Sequence, residues 1–171
     1  MATNFLIEAQ SQKGRLMAVT TQLGLRCVSL DDVPVGTGFA LQWASEGSEE
    51  RIVVVTIPGG EARTAYITSG VLADVQQDDR LALLEVCNSC VSENAALPVY
   101  LHDAEAGWDI LVQTVYPVEL LVDVPPFFEA ELKSLPLAAE TIRERLRTDA
   151  RAGGRPYEWQ DLDRLLLRSL L

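Results

Sequence analysis

Between Phe39 and Val118 the chain reads as three strands, one helix and two more strands with little between them, and a helix-patterned segment stands on either side. Strands joined by short turns pair antiparallel. The order αβββαββα therefore predicts an α+β fold, an antiparallel sheet of about five strands flanked by helices, with a C-terminal amphipathic helix added. Phe39, Leu41 and Trp43 alternate with Ala40, Gln42 and Ala44, the period of a half-buried strand. Residues 51–57 are a nearly continuous β-branched run and predict a central strand covered on both faces. A third strand is expected over 64–71. Leu97, Val99 and Leu101, a polar turn at 103–107, and then Trp108, Ile110, Val112 and Thr114 write a hairpin.

The helices are punctuated in the usual way. Asn4 can cap the first, Gly24 can stop it, and its polar middle at 10–14 is expected to fray. Asp78 or Asp79 can cap the helix that carries Leu81, Leu84 and Val91. Pro125 and Pro126 can open another with Phe127, Phe128 and Leu132 inward, and Pro136 is expected to break or restart it. The organisation expected is one domain over 1–151, a Gly-Gly linker at 152–156 and an end helix over 157–171. That helix spaces Trp159, Leu162, Leu165, Leu166 and Leu170 along one face. It must bury them against its own domain, a twin subunit or a client.

A net charge of −11 disfavours nucleic acid and anionic membrane as partners. The charge is uneven: 7 basic and 19 acidic groups over 1–139 give −12, whereas 7 arginines and 6 acids over 140–171 give +1. No apolar run approaches the ~20 residues of a membrane span, and no export signal opens the sequence, so a cytoplasmic address is expected. Three cysteines do not make a secreted disulfide framework.

Chemistry-bearing motifs are sparse. Cys87-Asn88-Ser89-Cys90 has the spacing of a redox or metal pair, yet it falls within a predicted helix on the apolar face of Leu84 and Val91, where buried core thiols are the simpler reading. A small redox or metal-dependent protein built on Cys87 and Cys90 stands as the alternative. His102, the one histidine, lies at a strand end beside Asp103 and reads as a surface turn residue. Gly36-Thr37-Gly38 and Pro58-Gly59-Gly60 open no helix and read as turns rather than phosphate loops. The expectation is a chain that is not an enzyme, with no catalytic residue, no cofactor and no metal. Trp43, Trp108 and Tyr100 sit on strands with partly apolar opposite faces and could line a groove or a dimer surface. Candidate protein-binding residues are Phe39, Trp43 and Trp108 on the sheet, with Trp159, Leu162 and Leu166 on the end helix.

The stretch from Arg51 to Leu135 resembles the YbjN-like proteins, grouped with the type III secretion chaperones of the CesT kind. The resemblance is carried by the three strands ending in Thr64-Ala-Tyr-Ile-Thr68, the leucine-rich helix with Leu84 and Asn88, the hairpin from Leu97-Pro-Val-Tyr-Leu101 to Tyr116, and the helix near Pro126. It implies a chaperone-like or adaptor protein, commonly homodimeric, that holds a segment of a client protein and catalyses nothing. A regulatory-complex subunit docking through its C-terminal helix is a further alternative.

Overall fold

The computed structural model describes residues 2–43, 51–76, 80–93, 98–104 and 107–171, with the side chains of residues 2–5, 43, 91–93 and 104 outside the described part. Helix α1 (Ala2–Gln22) leads into strands β1 (Cys27–Ser29), β2 (Gly36–Trp43), β3 (Arg51–Pro58) and β4 (Thr64–Val75). Then follow α2 (Arg80–Glu93), β5 (Val99–Ala104), β6 (Gly107–Pro117), α3 (Val118–Asp123), α4 (Pro125–Asp149) and α5 (Leu162–Leu170). The strands form one antiparallel sheet in the order β1-β2-β3-β4-β6-β5. The predicted α+β architecture is present with one strand more than expected: the short extended piece at Cys27 pairs with β2 and becomes an edge.

Cross-strand register sorts the side chains into two faces. Phe39, Val55, Ile67 and Val112 point to the first face, where α1, α2, α3 and α4 cover them with Leu16, Leu83, Leu121, Phe128 and Leu132. Ala40, Val54 and Leu111 point to the second, where α5 supplies Leu162, Leu165 and Leu166. Strand β3 is thus buried on both sides, as its β-branched run predicts. With a core on each face, the alternation cannot reveal from sequence which face is open.

Several local expectations change. Helix α1 runs unbroken through its polar middle and stops at Gly24, whose φ of 75° is the left-handed cap that glycine favours. Helix α4 continues through Pro136, a buried residue of its core face. Strand β4 runs on past Val71 through register shifts at Gly70–Leu72 and Leu72–Val75, with Asp74 at φ 56°. Gly36 and Gly38 lie within β2, not in a turn. Asp78 and Asp79 fall outside the described residues, as do the turn at 45–50 and most of the turn between β5 and β6.

The segment expected as a linker crosses from one face of the sheet to the other. Ala150 and Ala152 belong to the first core and Tyr157 to the second. Between them Arg155 and Ala73 exchange both backbone hydrogen bonds, at 2.7 and 3.0 Å, where β4 has outrun its pairing with β3.

Candidate functional site

The second face is built to receive α5. A β-carbon on Gly38 would stand 2.7 Å from the carbonyl of Val55 and 2.9 Å from Leu166 Cδ1; on Gly36 it would meet Leu170, and on Gly70 the ring of Tyr157. Glycine in a strand here marks close approach of a neighbouring element. Below the leucines, Ser169 Oγ donates to Thr56 Oγ1 at 3.1 Å, and Gln113 Nε2 donates to Thr68 Oγ1 at 3.0 Å and to the carbonyl of Ser169 at 2.8 Å.

Charge fastens the same helix. Asp109, fully buried on β6, accepts from Arg164 (Nε, 2.8 Å) and Arg168 (Nε, 3.1 Å). Arg164 also reaches Asp74 at 2.9 Å, and Arg155 joins Asp74 at 3.1 Å to a fork on Asp161. Hydrogen bonding from Arg164 holds the Asp74 carboxyl below its ordinary range, and Arg155 does the same for Asp161. The uneven charge noted in the sequence is thereby explained: arginines of the positive tail meet carboxylates of the sheet.

Helix α5 leaves one end of the second face open. Between its last turn and strands β4, β6 and β5 lies a groove of about 250 Å³, floored by Gln113 and Val115 and bounded by Tyr66, Tyr100, His102, Arg168 and Leu171. Tyr100, Val115 and Leu171 are 37%, 46% and 78% exposed, an apolar cluster that no other described residue covers. His102 is half-buried here on β5 rather than in a surface turn. Desolvation, reinforced by Arg168 and opposed by Asp109, lowers its pKa, so the imidazole is neutral at pH 7. Burial also raises the Tyr66 phenol, which stays protonated. The groove thus offers uncharged aromatic rings and a partly exposed valine floor. Among the described residues no group of three or more His, Cys, Asp and Glu side chains is placed to hold a metal ion.

No family model and no curated protein matches the chain. Its fold does match a solved structure, that of YbjN from E. coli, a candidate transcription regulator. The two are 11% identical with a TM-score of 0.51, over 78% of this chain and 90% of YbjN. The fold is YbjN-like. At that identity the likeness speaks for architecture alone.

The candidate residues from the sequence are dispersed. Phe39 is buried under α1, Trp108 is half-buried with the Arg80 guanidinium 4.9 Å from its ring centre, and Trp159 packs on the second core. Leu162 and Leu166 are buried against the sheet of their own chain, so the end helix has found its cover at home. Trp43 closes β2 opposite Arg51. None of the five with described side chains lines the groove. Tyr100, singled out with the tryptophans, does, together with Tyr66, Val115 and Leu171, which the sequence does not mark as site residues. The usable signal was register: Tyr66, Val115 and Tyr100 share a face once β4, β6 and β5 are set side by side.

Proposed function

We propose that this chain is a non-enzymatic protein-binding module, chaperone-like or adaptor in kind, which works as a homodimer and holds a segment of a client protein in the groove beside α5. The observation that carries this reading is the exposed cluster of Tyr100, Val115 and Leu171 around a cavity of about 250 Å³. That volume falls short of the ~300–1,000 Å³ typical of small-molecule sites and suits one or two anchoring side chains of a peptide. Affinity then rests on a few apolar anchors, while the net charge of −11 favours a basic client and makes association salt-sensitive. The likeness to CesT-type secretion chaperones, stated from the sequence, accords with this use. YbjN's description as a candidate regulator accords with action through protein contacts, since so acidic a surface repels DNA.

The thiol alternative is disfavoured by the same structure. Cys87 and Cys90 are buried in the first core on α2, and burial pushes the Cys87 thiol up to about 12, away from the thiolate that redox and metal chemistry need. Docking through the end helix is disfavoured too, because its leucines are engaged internally.

The test compares wild type with Val115→Asp, both tagged and full-length, in affinity capture from the native cell extract with mass spectrometry. A stoichiometric partner kept by wild type and lost by Val115→Asp is the expected result. A partner held equally by both removes the groove from the reading, and a bare protein in both cases removes the client.

A further inference from the structure

The two edges of the sheet are treated differently. Strand β1 is three residues long, too short to template much pairing. Strand β5 is six residues long, keeps an unbroken register with β6 from Val99 to Ala104, contains no lysine, arginine or internal proline, and has no described strand on its outer side. The bond from Gln113 N–H to the carbonyl of Pro98 sets the phase of the ladder. Even-numbered residues of β5 face β6 with their backbone groups, so the N–H and C=O of Val99, Leu101 and Asp103 point outward. An edge of this length without a guard is where a second strand adds.

The geometry points to a second copy of this chain as the occupant, its β5 running antiparallel to the first and centred on Leu101. This rests on the homodimeric reading above and supplies its surface. Residues opposite one another in a continuous sheet share a face, so the pairing is centred on a residue, either one whose backbone groups point outward (Val99, Leu101 or Asp103) or one between them (Tyr100 or His102). Centring on Val99 or Tyr100 leaves Asp103 without a partner in β5, and centring on His102 or Asp103 leaves Val99 without one. Centring on Leu101 engages all three outward residues: Leu101 exchanges both hydrogen bonds with its own copy, and Val99 does so with the partner's Asp103, at both ends. The two Asp103 carboxylates then sit at opposite ends of the seam. On the second face Tyr100 stands opposite the partner's His102, twice, extending the stack these rings already form within one strand, centroids 6.4 Å apart and 26° between planes.

The arrangement also completes the site. Tyr100 and His102 form the outer wall of each groove. Across the dyad the two grooves run together into one trough, with an α5 helix at each end.

Tyr100→Cys and His102→Cys, each prepared in full-length protein carrying Cys27→Ser, are mixed and mildly oxidised. In this register only the mixed pair sets thiols directly opposite. A disulfide-linked dimer is expected from the mixture, with little from either variant alone, whose equivalent positions lie diagonally and too far apart. In a companion measurement Asp103→Pro removes an outward N–H and blocks the edge without touching the β6 ladder; native mass is expected to fall from dimer to monomer with an unchanged circular-dichroism spectrum. Dimers that persist in Asp103→Pro and give no mixed disulfide overturn this surface while leaving the homodimer standing. Monomeric wild type overturns both. If Asp103→Pro abolishes client capture by a monomeric wild type, the edge takes the client and not a second copy.

Discussion

At the scale of single residues, the glycines of the second face decide how closely the end helix can approach. Gly38→Ala forces a methyl group against the Val55 carbonyl and Leu166, an overpacking that costs roughly 1–3 kcal/mol. Thermal unfolding is expected to drop by about 2–4 °C per kcal/mol lost in a domain of this size. Gly60→Ala, with nothing within 4 Å of its β-carbon, should leave the melting temperature nearly unchanged and serves as the control. Equal melting temperatures for the two variants would contradict the close seat. Gly36 and Gly38 read as a turn from the sequence, because a strand needs no glycine unless something presses on it, and what presses on these two, Leu170 and Leu166, arrives more than a hundred residues later. The β-branched run of β3, by contrast, declared its two-sided burial directly.

At the scale of elements, α5 is held by leucines and by a set of Arg–Asp pairs, and the pairs give its attachment a pH dependence. Asp74 and Asp161 titrate below their ordinary value of 3.8 in the folded protein. A lowered carboxylate pKa means the unfolded chain binds protons first. The stabilisation is therefore complete above that ordinary value and is lost as pH falls through the lower folded values. The double variant Asp74→Asn/Asp161→Asn, which leaves Asp109 in place, should be less stable than wild type at pH 7. The difference should shrink at pH 3, as read from urea midpoints. The expected size is about 1 kcal/mol or less per pair, since Arg155 and Asp74 are partly exposed. A difference that stays constant between the two pH values would rule the pairs out as the acid-sensitive part. Leu162, Leu165 and Leu166 announced an amphipathic helix by spacing alone; spacing does not say what covers it, so its cover on β2, β3 and β4 came only with the structure.

At the scale of the whole molecule, the end segment is a constituent of the fold. Burying three leucines contributes roughly 5–9 kcal/mol before the cost of ordering them, as an upper bound. That is a large share of the ~5–15 kcal/mol that keeps a domain folded. Deleting residues 157–171 is expected to expose Ala40, Val54 and Leu111, seen as dye binding and broadened unfolding; a truncated chain with a sharp, unshifted transition would contradict this. The antiparallel layout was legible because alternation and short turns carry it. The pairing order at the β5 edge and the open groove depend on which strands become neighbours, which no single strand encodes. The bond between Ser169 and Thr56 joins residues 113 apart in sequence. On the ribosome, β2 and β3 emerge long before the helix that roofs them. Until then the nascent sheet has a naked apolar face, and for that interval the growing chain is itself a client, open to capture by any passing amphipathic helix before its own arrives.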